Sequence, residues 1–63
     1  MFLAFCNEEE LPLGKTDEQE AIRLAAEHGA AHGGTATTSV WSMSESGELG
    51  DPAHFFRGGE RTA

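Results

Sequence analysis

The stretch TDEQEAIRLAAEHG, residues 16–29, constrains this chain of 63 residues more than any other. At 100° per residue, Ala21, Ile22, Leu24, Ala25, Ala26 and His28 fall on one broad face, and Gln19, Glu20, Arg23 and Glu27 on the opposite one. Thr16 followed by Gln19 has the form of a capping box. Asp17, Glu18 and Glu20 place negative charge in the first turn, where the helix dipole favours it. Gly29 stands where a left-handed residue ends a helix. The spacing therefore predicts a helix beginning after Thr16 and stopping at Gly29. Its apolar face carries three alanines, small enough to let it lie close against a flat layer.

The flanking segments supply that layer. MFLAFC, residues 1–6, reads as a short buried strand. Alternation puts Phe2, Ala4 and Cys6 on one side, and Leu3 and Phe5 on the other. NEEELPLGK, residues 7–15, holds a charged turn at Glu8–Glu10 and then an extended piece at Leu11–Leu13, enforced by Pro12. Residues 35–43, TATTSVWSM, are rich in threonine, valine and tryptophan and predict a second main strand. Thr37, Ser39, Trp41 and Met43 share one of its faces; Ala36, Thr38, Val40 and Ser42 share the other. A turn is expected at Ser46–Gly47, with Leu49 opening a returning strand. Asp51–Pro52 then has the form of an N-cap followed by proline at the first helical position, which predicts a short helical turn over Ala53–Phe56 closed by Gly58–Gly59. The expected fold is a small α+β domain over residues 1–57. Its mixed sheet is ββαβ or βαβ, one helix packs on one face, a short C-terminal helical turn follows, and residues 58–63 form a flexible tail.

Such a fold is short of interior. The large apolar side chains are Phe2, Leu3, Phe5, Leu11, Leu13, Ile22, Leu24, Val40, Trp41, Met43, Leu49, Phe55 and Phe56. Chains this small bury a modest share of their surface and usually rely on a disulfide, a metal or a partner. Cys6 is the one cysteine; it makes no internal disulfide, suits a reducing compartment, and is expected as a small buried group. Eleven acidic residues against four basic ones give a formal charge of −7. That excludes direct binding to nucleic-acid phosphates and disfavours an anionic membrane. MFLAF is too short for a secretory leader and lacks a basic start. No apolar run is long enough to span a bilayer. A cytoplasmic location is expected.

Candidate chemistry is sparse. His28 and His32 have the i, i+4 spacing of a helical metal motif, but the letters are HGAAH, with Gly29 breaking the helix between them and no glutamate inside the pair. A structural zinc site normally takes four ligands, often several of them thiolates, and His54 is far along the chain. His28 is better read as a cation-capable residue at the helix C-terminus, and His32 as a loop residue. No metal or cofactor is expected. Cys6 and the serines at 39, 42, 44 and 46 sit in no nucleophile elbow. Gly33–Gly34 and Gly58–Gly59 accompany no phosphate-loop lysine and read as caps and turns. No enzymatic activity is expected.

The segment TDEQEAIRLAAEHGAAHGGTATTSVWSMSESGEL resembles small uncharacterised one-helix α+β proteins of actinobacteria. In those, an alanine-rich helix beginning T-x-E-E-A-I leads through glycine to a strand and a D/E-x-G turn. The composition is also similar to that of short reading frames in phages of high-GC hosts. The resemblance covers residues 16–49 and implies no catalytic residues. What remains to carry function is the aromatic set. The expectation is an acidic protein-interaction module, a phage accessory protein or a homo-oligomer. It docks on a protein partner or itself through its sheet face, with Phe2, Phe5, Trp41, Met43, Phe55 and Phe56 as anchors and Glu8, Glu9 and Glu10 as a rim. The alternatives are an acidic nucleic-acid mimic that blocks a basic groove, and a small metal-binding protein.

Overall fold

The computed structural model describes residues 1–31 and 36–62. It is an α+β unit: a five-stranded sheet with one helix across one face. The strands are β1 (Phe2–Cys6), β2 (Leu11–Thr16), β3 (Thr37–Met43), β4 (Leu49–Arg57) and β5 (Glu60–Arg61); the helix, α1, is Glu18–Ala31. The strand order is β2-β1-β3-β4-β5 and every neighbouring pair is antiparallel. Leu11–Leu13 does pair back onto β1, within a longer strand. The mixed sheet expected from the sequence is not formed. β1 and β2 make a hairpin, so the chain leaves β2, crosses over β1 as α1, and returns antiparallel to β1.

The helix lies on the sheet through its smallest residues. Ala21, Ala25 and Gly29 are its buried positions. Beneath them the sheet presents Ala4, Val40 and Phe56, with Phe2, Leu13, Ile22, Leu24 and Ala26 packed around the edge. The alternation read for β1 and β3 holds: Ala4 pairs with Val40 and Cys6 with Thr38 on the helix side, and all four are fully buried. Thr38 donates its hydroxyl to the Ala25 carbonyl at 2.9 Å, tying the two layers together at their centre. On the outer side of α1, Arg23 pairs with Glu20 and Glu27, which raise its pKa. Exposed pairs of this kind add little stability.

Both helix ends differ from the expectation. The N-cap is Asp17, whose Oδ1 accepts the Glu20 amide at 2.9 Å. Thr16 is instead the last residue of β2, opposite Phe2. Gly29 does not stop the helix, which runs on to Ala31. Its role is closeness: a Cβ there would stand 2.9 Å from the backbone nitrogen of Gly59. His32, Gly33 and Gly34 of the expected loop, and Thr35, the first residue of the strand expected over 35–43, lie outside the described residues.

The C-terminal third differs most. Residues Ala53–Phe56, expected as a helical turn, belong to β4, the longest strand at nine residues. Local signals at Asp51–Pro52 favour a helix start, but the segment pairs with β3 from Leu49 to Arg57. Pro52 is tolerated because it sits opposite Trp41 at a register irregularity, and β5 pairs with β4 only at Phe56 and Arg57. Proline in a sheet is confined to such bulges and open edges. The segment expected as a loose tail begins with a tight hairpin: Gly58 and Gly59 have φ of 63° and 89° and link paired Arg57 and Glu60. Two positive-φ residues in a two-residue loop make the turn that matches strand twist. The hairpin rests on α1, and the Gly58 amide donates to the Ala36 carbonyl.

Gly29→Ala tests this packing by opposing two effects. Alanine gains about 1 kcal/mol of helix propensity, while the new methyl must push the Gly58–Gly59 backbone away. The expected outcome in urea unfolding is a net loss of about 1–2 kcal/mol, as for an overpacked interior.

Candidate functional site

The face of the sheet turned away from α1 has no second layer among the described residues. Its composition follows from strand pairing, since residues directly opposite on neighbouring strands point the same way. One cross-strand row runs Pro12, Phe5, Ser39, Phe55; the next runs Lys15, Leu3, Trp41, Pro52; Met43 opposite Leu49 follows. Phe5, Trp41 and Met43 are half-buried, Phe55 is 37 % exposed and Leu49 54 %. The face is therefore a continuous apolar strip across four strands, with Trp41 near its centre.

Trp41 is held in place by a polar chain beneath the rings. Its indole Nε1–H donates to Ser39 Oγ at 2.9 Å, and the Ser39 hydroxyl donates to Asn7 Oδ1 at 3.1 Å. Ser39 is fully buried, although it lies on the side that no helix covers. Its small side chain leaves room for the aromatic rings and its hydroxyl satisfies the indole. Tryptophan whose N–H already has a partner is well suited to present its ring to another surface. The sequence reading did not single out Asn7 or Ser39 for this role. The visible signal was Ser39 two residues before Trp41, hence on the same side of the strand.

The expected anchors divide between the two faces. Phe5, Trp41, Met43 and Phe55 share the open side. Phe56 is 5 % exposed inside the helix–sheet core, and Phe2 packs against that core from its edge. The three glutamates divide as well. Glu8 accepts from the Thr37 hydroxyl at 3.1 Å, at the rim of the open face. Glu9 turns to the helix side, where one carboxylate oxygen lies 2.8 Å from His28 Nε2 and 3.7 Å from Cys6 Sγ. Glu10 is exposed with φ of 52°, a left-handed conformation uncommon for a residue with a Cβ.

Charge is partitioned too. Two of the four cations, Lys15 and Arg57, stand in register with the open face, opposite Leu3 and Thr37 respectively, and Glu60 pairs with Arg57. Glu18, Glu20 and Glu27 ride on the helix across the molecule. His54, on the helix side of β4, bonds Glu18 through Nε2 at 2.9 Å, and its buried Nδ1 has no hydrogen-bond partner among the described residues. Among the described residues, no helix is long and apolar enough to cross a membrane.

Ser39→Ala removes the acceptor of the indole proton without touching any ring. The expected outcome is a loss of about 1 kcal/mol in unfolding and a red-shifted, more quenchable Trp41 emission. Compared with known protein families, curated proteins and solved structures, the chain matches none.

Proposed function

We propose that this chain is a small protein-interaction module that docks through the open face of its sheet, and that the occupant is a second copy of itself. The observation that carries the reading is the strip of Phe5, Trp41, Met43 and Phe55 on a face that has no covering layer among the described residues. A sheet with one covered and one open apolar face is completed when a second sheet packs on it, about 10 Å away. A two-fold pairing brings the same strip from each copy together.

Charge favours a second copy as the occupant. A protein of net charge −7 repels itself, but on the open face Lys15 and Arg57 offset Glu60 and the Glu8 rim, and the helix acids lie on the other side. Four strands about 4.8 Å apart and seven residues at about 3.3 Å each outline a footprint of roughly 450 Å2 per copy. The two copies together bury about 900 Å2, below the range of stable specific interfaces and within that of transient ones, so the pairing is reversible and depends on concentration.

Light scattering across about a hundredfold range of concentration should show the mass moving from one copy to two, with a melting temperature that rises in step. Added salt should strengthen the association, because it screens like charges that lie beyond about 8 Å. Trp41→Asp, at the centre of the strip, should abolish the dimer while leaving the monomer's circular dichroism intact. A single-copy mass at every concentration, or a Trp41→Asp chain that still pairs, contradicts the reading. Salt that weakens binding to a basic target would instead favour the nucleic-acid mimic.

A further inference from the structure

We propose that Cys6, Glu9 and His28 bind one zinc-type divalent cation on the helix side of the sheet, away from the open face. The three side chains come from the last residue of β1, the turn that follows it, and the last turn of α1. Their donor atoms, Sγ, a carboxylate oxygen and an imidazole nitrogen, all lie within 4.8 Å of one another. They converge on one atom. The same Oε1 of Glu9 is 3.7 Å from the Cys6 thiol and 2.8 Å from His28 Nε2.

Zinc bonds sulfur at about 2.3 Å and nitrogen or oxygen at about 2.0–2.2 Å, so the corners of a tetrahedral site lie roughly 3.3–3.6 Å apart. The separations of 2.8 and 3.7 Å fall on either side of that span. Opening the Glu9–His28 contact by about half an ångström makes room for the ion. The side chains that must turn retain solvent access, Glu9 at 45 % and His28 at 22 %, while the fully buried Cys6 stays in place.

The donor set selects the ion. A thiolate and an imidazole disfavour calcium and magnesium, which take oxygen ligands, and suit zinc. On binding, the Cys6 thiol releases its proton to solvent, His28 coordinates as neutral imidazole through Nε2, and Glu9 coordinates as carboxylate. Thiolate and carboxylate together balance the two positive charges, and no oxidation or reduction occurs. Among the described residues three side chains ligate, and water takes the fourth position on the side where Glu9 is exposed. The ion replaces a hydrogen-bonded contact by bonds that join β1, its turn and the helix. It supplies the cross-link that a chain with one cysteine otherwise lacks, because metal binding to a folded site adds directly to folding stability.

The test uses the full chain, reduced and stripped of metal with a chelator, titrated with Co2+ and then Zn2+. The expected result is one Co2+ per chain with a thiolate-to-cobalt charge-transfer band in the near ultraviolet. Zn2+ displaces the Co2+ and raises the melting temperature. Cys6→Ser removes the band. His28→Gln and Glu9→Gln each weaken binding by at least about tenfold, while Glu10→Gln in the same turn leaves affinity within about twofold. A wild-type chain without the band, or unchanged affinity in His28→Gln, overturns the site. The second criterion does not depend on the buried Cys6 tolerating substitution.

Discussion

The close approach of α1 to the sheet is the contact on which the rest of this structure depends. It is made by side chains of one carbon or none: Ala21, Ala25 and Gly29 from the helix and Ala4 from β1. Among the described residues the largest side chain buried completely is Val40. Dispersion and hydrophobic gain per residue are small in such a core, so they accumulate only if the layers nearly touch. The Thr38 hydroxyl on the Ala25 carbonyl and the Gly58–Gly59 hairpin against Gly29 exploit the same thin gap. A larger residue at any of these positions would lift the helix and expose several contacts together.

A thin core of small residues has a consequence on the other side of the sheet. Several of the chain's large apolar side chains are left out of it. Phe56 sits beneath the helix, but Trp41, Phe5, Met43 and Phe55 alternate outward. The helix–sheet layer thus uses the alanines with Phe56 and Phe2, and the open layer keeps the other three aromatics. The open layer is also ordered in advance, because Ser39 and Asn7 fix the indole before anything docks on it. A binding surface whose rotamers are already set loses less side-chain entropy on association.

The four-residue turn Asn7–Glu10 links the two faces. Asn7 supports Ser39 on the open side, Glu8 reaches Thr37 at the rim, and Glu9 crosses to Cys6 and His28 on the helix side. Adjacent side chains of one turn therefore sense both surfaces. Three consecutive glutamates read in sequence as a solvated acidic patch. Folded, they have separate partners or settings, and Glu10 takes the positive φ that closes the turn.

Much of this could be read from neighbours along the chain. The alanine-faced helix, the two faces of β1 and β3, the extended piece at Leu11–Leu13, and the turn at Ser46–Gly47 follow from periods of 3.6 and 2 and from turn chemistry, which are local properties. The N-cap at Asp17 and the Gly58–Gly59 turn are local departures; the larger ones involve residues far apart in sequence. Asp51–Pro52–Ala53–His54–Phe55–Phe56 has the local marks of a helix start, and only the ladder with β3 makes it a strand. Gly29 has the marks of a helix stop, and only the hairpin thirty residues on makes it a point of close approach. Glu9 and His28, nineteen positions apart, meet because the β1–β2 hairpin and the helix end at the same corner. Local periodicity determines which face a side chain takes. Pairing and close approach decide what that face meets, because those energies belong to contacts that no window of sequence contains.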